Sequence, residues 1–373
     1  MKLTLTTIIL LLIAGLLGCG QSGDKVVKIA LVCPLTGDDA AHGQGMKRGM
    51  IMAIEDANAA NKIPGHKLEM AAFDDRSDPK EAVTIANQII SDRQIAGVIG
   101  HLNSGCSIPA SQVYTKRNLV MITPASTNPK LTLQGFRNVF RICGTDDVQG
   151  SFGANYVHDT LKINRVAIIH DKTAYGQGLA EEFNKQFVAD GGTVISFDGI
   201  DRGDKDFKAL LTRIKGENPG LIFYGGLYAE AGLMSKQIKE VGMNISLFGG
   251  DGIFTNEYAR IGGSATEGDF ASMVGMPPSK LPYAQEFLRR YAQRFPKEDM
   301  QPYDPYTYEA ASLLITALAA VNLDQSKLID QLAKVKFSGI LGETSFDAKG
   351  DNLNKLISIS RVTNGKFEYY EHK

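Results

Sequence analysis

A chain of 373 residues is too long for one ordinary domain and fits two. With 43% hydrophobic and 22% charged residues it is globular and not disordered. A formal net charge of −1, with no long basic or acidic block, argues against nucleic acid or an anionic surface as the main partner.

The chain opens MKLTLTTIILLLIAGLLGCG. Lys2 gives a small positive n-region, and residues 8–17 are an apolar core, too short for the ~20 residues that a bilayer requires. Residues 1–18 therefore read as an export signal. Leu16-Leu17-Gly18-Cys19 has the form of a bacterial lipobox, in which Cys19 is acylated and becomes the first mature residue. Leu17 is bulkier than that site usually carries. Acyl chains bury in lipid at ~0.8 kcal/mol per CH₂, so several would tether the protein firmly. Residues 19–26 then form the lipidated cysteine and a flexible linker. Nothing later is apolar for long enough to span a membrane. The expected location is extracytoplasmic, in the periplasm or on the outer cell surface.

The strands and helices alternate from there. Residues 27–33 (VKIALVC) are a strand, followed by a turn and a helical run through Ala59. Residues 66–75 are a strand and 78–92 an amphipathic helix, with Asp78 as its cap and Pro79 in its first turn. Strand 96–101, helix 107–118, and strands 119–125 and 139–143 follow. The pattern then begins again. Strands are predicted over 165–171, 193–200, 221–226, 246–251 and 269–274. Helices are predicted over 175–189, 206–218 and 229–241. Helices 281–295 and 305–322 come next, and strands near 343–347, 356–362 and 366–371 end the chain. The predicted class is α/β, with two doubly wound parallel-sheet lobes.

Three cysteines remain: Cys33, Cys106 and Cys143. The favoured reading is three small, buried, unreactive thiols. A Cys33–Cys106 bridge is open only if their strands are neighbours. No Cys-x-x-Cys and no ligand spacing among the six histidines suggests a metal.

Ligands of open parallel sheets sit beyond the carboxyl ends of the strands, where free N–H groups and positive helix ends lie. The first half brings the turns Asn103-Ser104-Gly105 and Pro124-Ala125-Ser126-Thr127 to those ends. The second brings Tyr175, the turn 225–230 and Asp251. Hydroxyls and N–H groups dominate the first set, an acid and aromatics the second. Two lobes facing each other would enclose an anion pole, a cation pole and apolar or aromatic walls. That is the complement of a zwitterionic α-amino acid.

These same segments, VIGHLNSGCSIPAS, VMITPASTNPKLT, IIHDKTAYGQGLAEEF and FYGGLYAEAG, resemble those of periplasmic leucine/isoleucine/valine-binding proteins. These are the substrate-binding subunits of branched-chain amino-acid ABC transporters, with the type I periplasmic binding fold. The likeness runs in order over most of the mature chain. It implies that Ser104 and Thr127 hold the ligand carboxylate, and that the Ala125 carbonyl and Asp251 take the ammonium. Tyr175 would close over the ligand, with His42, Tyr228 and Tyr306 about the side-chain pocket. It also implies three hinge crossings, near Gly144, Gly275 and Gly350. Lobe 1 is then 27–144 plus 276–350, and lobe 2 is 145–275 plus 351–373. No cofactor and no enzymatic activity are implied. The partners are an amino acid and a membrane ABC permease, with the protein a monomer touching the membrane only through its lipid. There are departures. Family members often carry Glu at the Asp251 position and Tyr at the His42 position. Some have a disulfide that would need cysteines at Ser77 and Asn103.

Duller roles stand beside these. Ser104 and Thr127 suit helix caps, Asp251 a solvated loop, and the tyrosines packing. Two other classes compete. A dinucleotide-binding enzyme would use Gly43-Gln44-Gly45, but its third glycine is one place late and the motif lies too far past the strand. A serine hydrolase would want Gly-x-Ser-x-Gly, and Leu102-Asn103-Ser104-Gly105 lacks the first glycine. A sensor module reporting amino-acid occupancy to a receptor remains the alternative to transport, since the fold serves both.

Overall fold

The computed structural model describes residues 25–370. The export signal, Cys19 and most of the linker lie outside the described residues. The first half runs β1 (Lys25–Cys33), α1 (Ala40–Ala59), β2 (His66–Asp74), α2 (Pro79–Ser91), β3 (Ile95–Gly100), α3 (Ser104–Thr115), β4 (Met121–Thr123), α4 (Lys130–Leu133) and β5 (Val139–Arg141). Its five strands are parallel in the order β2-β1-β3-β4-β5.

The second half runs α5 (Asp146–Asn155), β6 (Arg165–His170), α6 (Ala174–Ala189), β7 (Thr193–Gly199), α7 (Lys208–Gly216), β8 (Leu221–Gly225), α8 (Tyr228–Glu240), β9 (Ser246–Gly249), α9 (Asn256–Gly262) and β10 (Phe270–Met273). Its parallel strands lie in the order β7-β6-β8-β9-β10, the same winding as the first sheet. The chain then returns to the first sheet with α10 (Gln285–Arg294), α11 (Tyr303–Ala320), α12 (Gln325–Leu332) and the small hairpin β11 (Phe337–Gly339) and β12 (Gly342–Thr344). It ends with β13 (Ser358–Thr363) and β14 (Lys366–Tyr369), which extend the second sheet antiparallel beyond β10.

The inner strands of each sheet are buried on both faces, which is why they read as near-continuous apolar runs. Ile29, Leu31 and Cys33 of β1 face α1 and α11, whereas Ala30 and Val32 face α2 and α3. In the second lobe Ala167 and Ile169 face α7 and α8, and Val166 and Ile168 face α5 and α6. The alternation also settles the cysteines. Cys33 and Cys106 belong to cores on opposite faces of one sheet, and all three described cysteines are buried and free. Burial raises each thiol above its ordinary range.

The chain passes between the sheets three times: after β5, after β10, and after Asn352. Asp351 and Asn352 still pair with the edge at Arg141, so the third passage runs over 353–357. At the second passage Gly275 has φ +148°, and a Cβ there would collide with the Tyr306 hydroxyl.

Helix starts differ from the sequence expectation where proline is involved. Asp78 caps α2 as expected, accepting from the N–H groups of Lys80 and Glu81, with Pro79 behind it. But α3 begins at Ser104, not 107, which puts Pro109 inside the helix. α11 begins at Tyr303, not 305, with Pro305 in its first turn. There the N–H it lacks has no intrahelical acceptor to lose. Residues 278–284 are 3₁₀ turns, so the helix expected from 281 starts at Gln285.

Candidate functional site: the interlobe cleft

The carboxyl ends of the two sheets face one another. A small cavity lies between them, lined by Leu102, Asn103, Ala125, Tyr175, Leu227, Asp251 and Tyr303. Leu102 and Asn103 follow β3, and Ala125 follows β4. Tyr175 opens α6, Leu227 precedes α8, and Asp251 follows β9. Tyr303 opens α11. These are the strand ends around the point where each winding reverses, as the general rule for open sheets requires.

The first-lobe wall is fixed from beneath. β3 ends at Gly100, where a Cβ would meet the Val32 carbonyl. His101 then turns inward, bonding Asp75 through Nδ1 at 2.7 Å and Tyr114 through Nε2 at 3.1 Å. The Ser126 hydroxyl donates to the carbonyls of His101 and Leu102. Arg141, with no exposed surface, donates to the carbonyls of Ser126 and Asn128 and to Asp351. The 124–128 turn is therefore held by a buried guanidinium, and the groups it presents are preorganised.

Within that wall Ser104 and Thr127 are fully buried. Neither caps a helix. Ser104 Oγ accepts from the Asn128 N–H at 3.2 Å. The Thr127 hydroxyl has no hydrogen bond of good geometry and lies beside Asp146, the first residue of α5.

Asp251 forms the second-lobe wall, 1% exposed. The Tyr175 hydroxyl donates to its Oδ1 at 2.9 Å, and the Tyr303 hydroxyl donates to its Oδ2 at 2.7 Å. The solvated-loop role is thereby excluded. Burial raises the Asp251 carboxyl above its ordinary range, and hydrogen bonds from Tyr303 and Tyr175 and the Gln149 amide beside it oppose the rise. Asp146 is also pushed well up, first by burial and further by the charge of Asp251, with Thr127 opposing. Two buried carboxyls thus share a region that favours a positive charge between them.

The lobes are closed on each other. Tyr303 reaches Asp251 across the cleft, and Asn128 Nδ2 donates to the Ala174 carbonyl at 2.5 Å. Arg202 pairs with Asp39 at 2.6 Å, and the Thr255 hydroxyl donates to Gln301 at 2.7 Å. His42 Nε2 lies 3.3 Å from the Gly252 carbonyl, which makes that nitrogen the protonated one.

Of the residues singled out in the sequence, Ala125, Tyr175 and Asp251 line the cavity. His42 does not line it but packs edge-on against both Tyr303 and Tyr228, with ring centroids 5.1 and 5.0 Å away. Tyr306 points elsewhere. Its hydroxyl donates to the Val274 carbonyl at 2.9 Å, and it lines a separate recess under the hinge with Leu281, Asn352 and Leu356. Sequence reasoning missed Tyr303, Asp146 and Gln149. For Tyr303 a signal existed, one turn before Tyr306 on the same helix face.

His42 carries a pH prediction. Burial pushes its pKa down to about 4, and the Gly252 bond and the charge of Asp39 only partly oppose this. Above the ordinary value near 6.5 the ring is neutral whether buried or free, and it costs nothing. Below that value the unfolded or open chain binds the proton and the closed form does not, so stability falls as the pH drops from about 6.5 towards 4. Denaturation against pH should show this fall, and His42→Phe should flatten it. An identical profile in the variant would clear His42 of the effect.

The chain matches the family described as periplasmic binding protein over residues 26–366. The Leu/Ile/Val-binding protein homolog 1 of Brucella suis is 37% identical over 341 residues, 91% of each chain. A leucine-binding protein of Thermotoga maritima has a TM-score of 0.86 at 29% identity, covering 92% of this chain and 98% of its own. The substrate-binding protein of a branched-chain amino-acid transporter from Streptococcus pneumoniae, solved with isoleucine, also has a TM-score of 0.86, at 27% identity and the same coverage. All three are named as binding proteins, and the last as the substrate-binding protein of a transporter. By the extent and identity of these matches, the chain belongs to the periplasmic binding protein family, and its relatives there include Leu/Ile/Val-binding protein homologs.

Proposed function

We propose that the protein is an extracytoplasmic receptor that captures an α-amino acid with a branched-chain or other apolar side chain and delivers it to an ABC permease. The single observation that carries this reading is Asp251. It is buried at a strand end of one lobe, tied to a tyrosine from each lobe, and walls the same cavity as Ala125. In this reading Ser104 and Thr127 receive the carboxylate, and Asp251 with the Ala125 carbonyl receives the ammonium. Tyr175 and Tyr303 close the site, and His42 and Tyr228 back it. Lobe 1 takes 27–144 plus 276–352, since Asp351 and Asn352 pair with Arg141, and lobe 2 takes 145–275 plus 353–373. The signal 1–18 is removed, and lipid on Cys19 holds a monomer at the membrane.

The mechanism follows from differential contact. Ligand groups that touch both lobes are satisfied only in the closed form, so binding shifts the population towards closure. Charge-assisted bonds to the carboxylate contribute roughly 1.5–3 kcal/mol each. A buried apolar side chain adds about 1.5–3 kcal/mol.

A thermal-shift screen of residues 20–373 against all common amino acids tests the proposal. A ligand bound only by the folded state raises the midpoint, and leucine, isoleucine or valine should do so. No shift with any amino acid would end the amino-acid reading. Loss of uptake on deletion of the gene separates transport from signalling.

A further inference from the structure

We propose that Asn103 sets the side-chain preference by offering its amide oxygen to a donor on the ligand, so that threonine binds more tightly than valine. The inference rests on the reading of the cleft as an amino-acid site and replaces its purely apolar side-chain preference with a branched side chain that carries a hydroxyl. Four polar side chains line the cavity: Asn103, Tyr175, Asp251 and Tyr303. The last three are committed to one another through two hydrogen bonds. Asn103 is not part of that cluster. It stands at the N-cap of α3 yet bonds no backbone N–H there.

Its amide nitrogen faces Asp39 Oδ2 instead, at 3.5 Å. The same oxygen receives the Ser77 hydroxyl at 2.5 Å and the Arg202 guanidinium at 2.6 Å. A carboxylate attracts an amide N–H and repels an amide oxygen, so this cluster decides how the Asn103 amide is turned. Oδ1 is left buried and without a hydrogen-bond partner. The other lining side chains, Leu102, Ala125 and Leu227, are apolar and bring no donor. The proposal assigns that donor to the ligand, whose side chain meets this wall on closure.

The Asp39 cluster and the Asp251 cluster share no residue. The ammonium is taken at one, and the side chain meets the other. Valine and threonine have the same branched shape, and only threonine carries an O–H in place of a methyl. With valine bound the acceptor stays unpaired and buried, a loss of about tenfold or more in affinity.

Calorimetry of residues 20–373 with threonine and valine tests this directly. The expected result is threonine tighter by about tenfold, with the order reversed in Asn103→Leu, which keeps the volume and removes the acceptor. Asn103→Ala repeats the comparison if the leucine variant fails to fold. Valine equal to or tighter than threonine in the unaltered protein, or a ratio that neither substitution moves, overturns the inference and leaves the amino-acid receptor standing. Failure of every amino acid to bind overturns both.

Discussion

Replacing Asp251 by Asn should weaken amino-acid binding a hundredfold or more while leaving the ligand-free protein at least as stable. The two effects have opposite signs for one reason. Without ligand, the carboxylate is buried, and burial raises its pKa against the help of Tyr303 and Tyr175. Removing the charge relieves that cost, while the amide oxygen of Asn still accepts from a tyrosine. On the proposed reading, the charge has the ammonium of a bound amino acid to face. Leaving that ammonium buried and unpaired costs on the order of 3–5 kcal/mol. Calorimetry on Asp251→Asn gives the first number and chemical denaturation the second. Affinity within tenfold of the unaltered protein would remove Asp251 from the site. A large loss of stability would show that its tyrosine bonds hold the fold and not the ligand.

The second large effect is expected at Arg141. Its guanidinium is fully buried and saturated, bonding Asp351 at 2.8 Å, the Thr132 hydroxyl at 2.7 Å, and the carbonyls of Ser126 and Asn128 at 2.8 and 2.9 Å. Arg141→Met would leave the buried Asp351 with only the half-exposed Lys349 ammonium, 3.8 Å away, a destabilisation of about 3 kcal/mol in urea unfolding. The 124–128 turn would lose its support as well, so affinity should fall even though Arg141 lines no part of the cavity. Adding Asp351→Asn removes the stranded charge and should restore most of the stability but not the affinity. A single variant within 1 kcal/mol of the parent would contradict the account.

Most of the strands and both windings were legible because burial on both faces leaves apolar runs that glycine-rich turns punctuate. That Asp251 and Tyr175 line the cavity between the lobes was legible because both lie in segments just past strand ends. What escaped had physical causes. Tyr303 was hidden by Pro305, which reads as a helix start although a first turn accepts proline at any of its early positions. Asp146 and Gln149 were hidden because α5 follows a crossing, and no periodicity tells which lobe such a segment joins. Tyr306 was drawn to the pocket by resemblance, whereas its hydroxyl satisfies a hinge carbonyl. Asn103 was noticed only as part of a turn. Its unpaired oxygen depends on Asp39 and Arg202, 64 and 99 positions away in sequence, and pattern alone cannot join them.

The placement of β13 beside β10 has a consequence for how the protein is made. Phe270 to Met273 must wait for Ser358 to Arg361 before that side of their ladder is paired. A ribosome adding about 5–20 residues per second needs several seconds to cover the interval. During that time the second lobe has an open apolar edge, while the first lobe lacks α11 at the start of the interval and Asp351, the partner of Arg141, until almost its end. Neither half can lock before nearly the whole polypeptide exists. Late closure of both lobes is what passage of an unfolded chain through a translocation pore requires, as the proposed export needs.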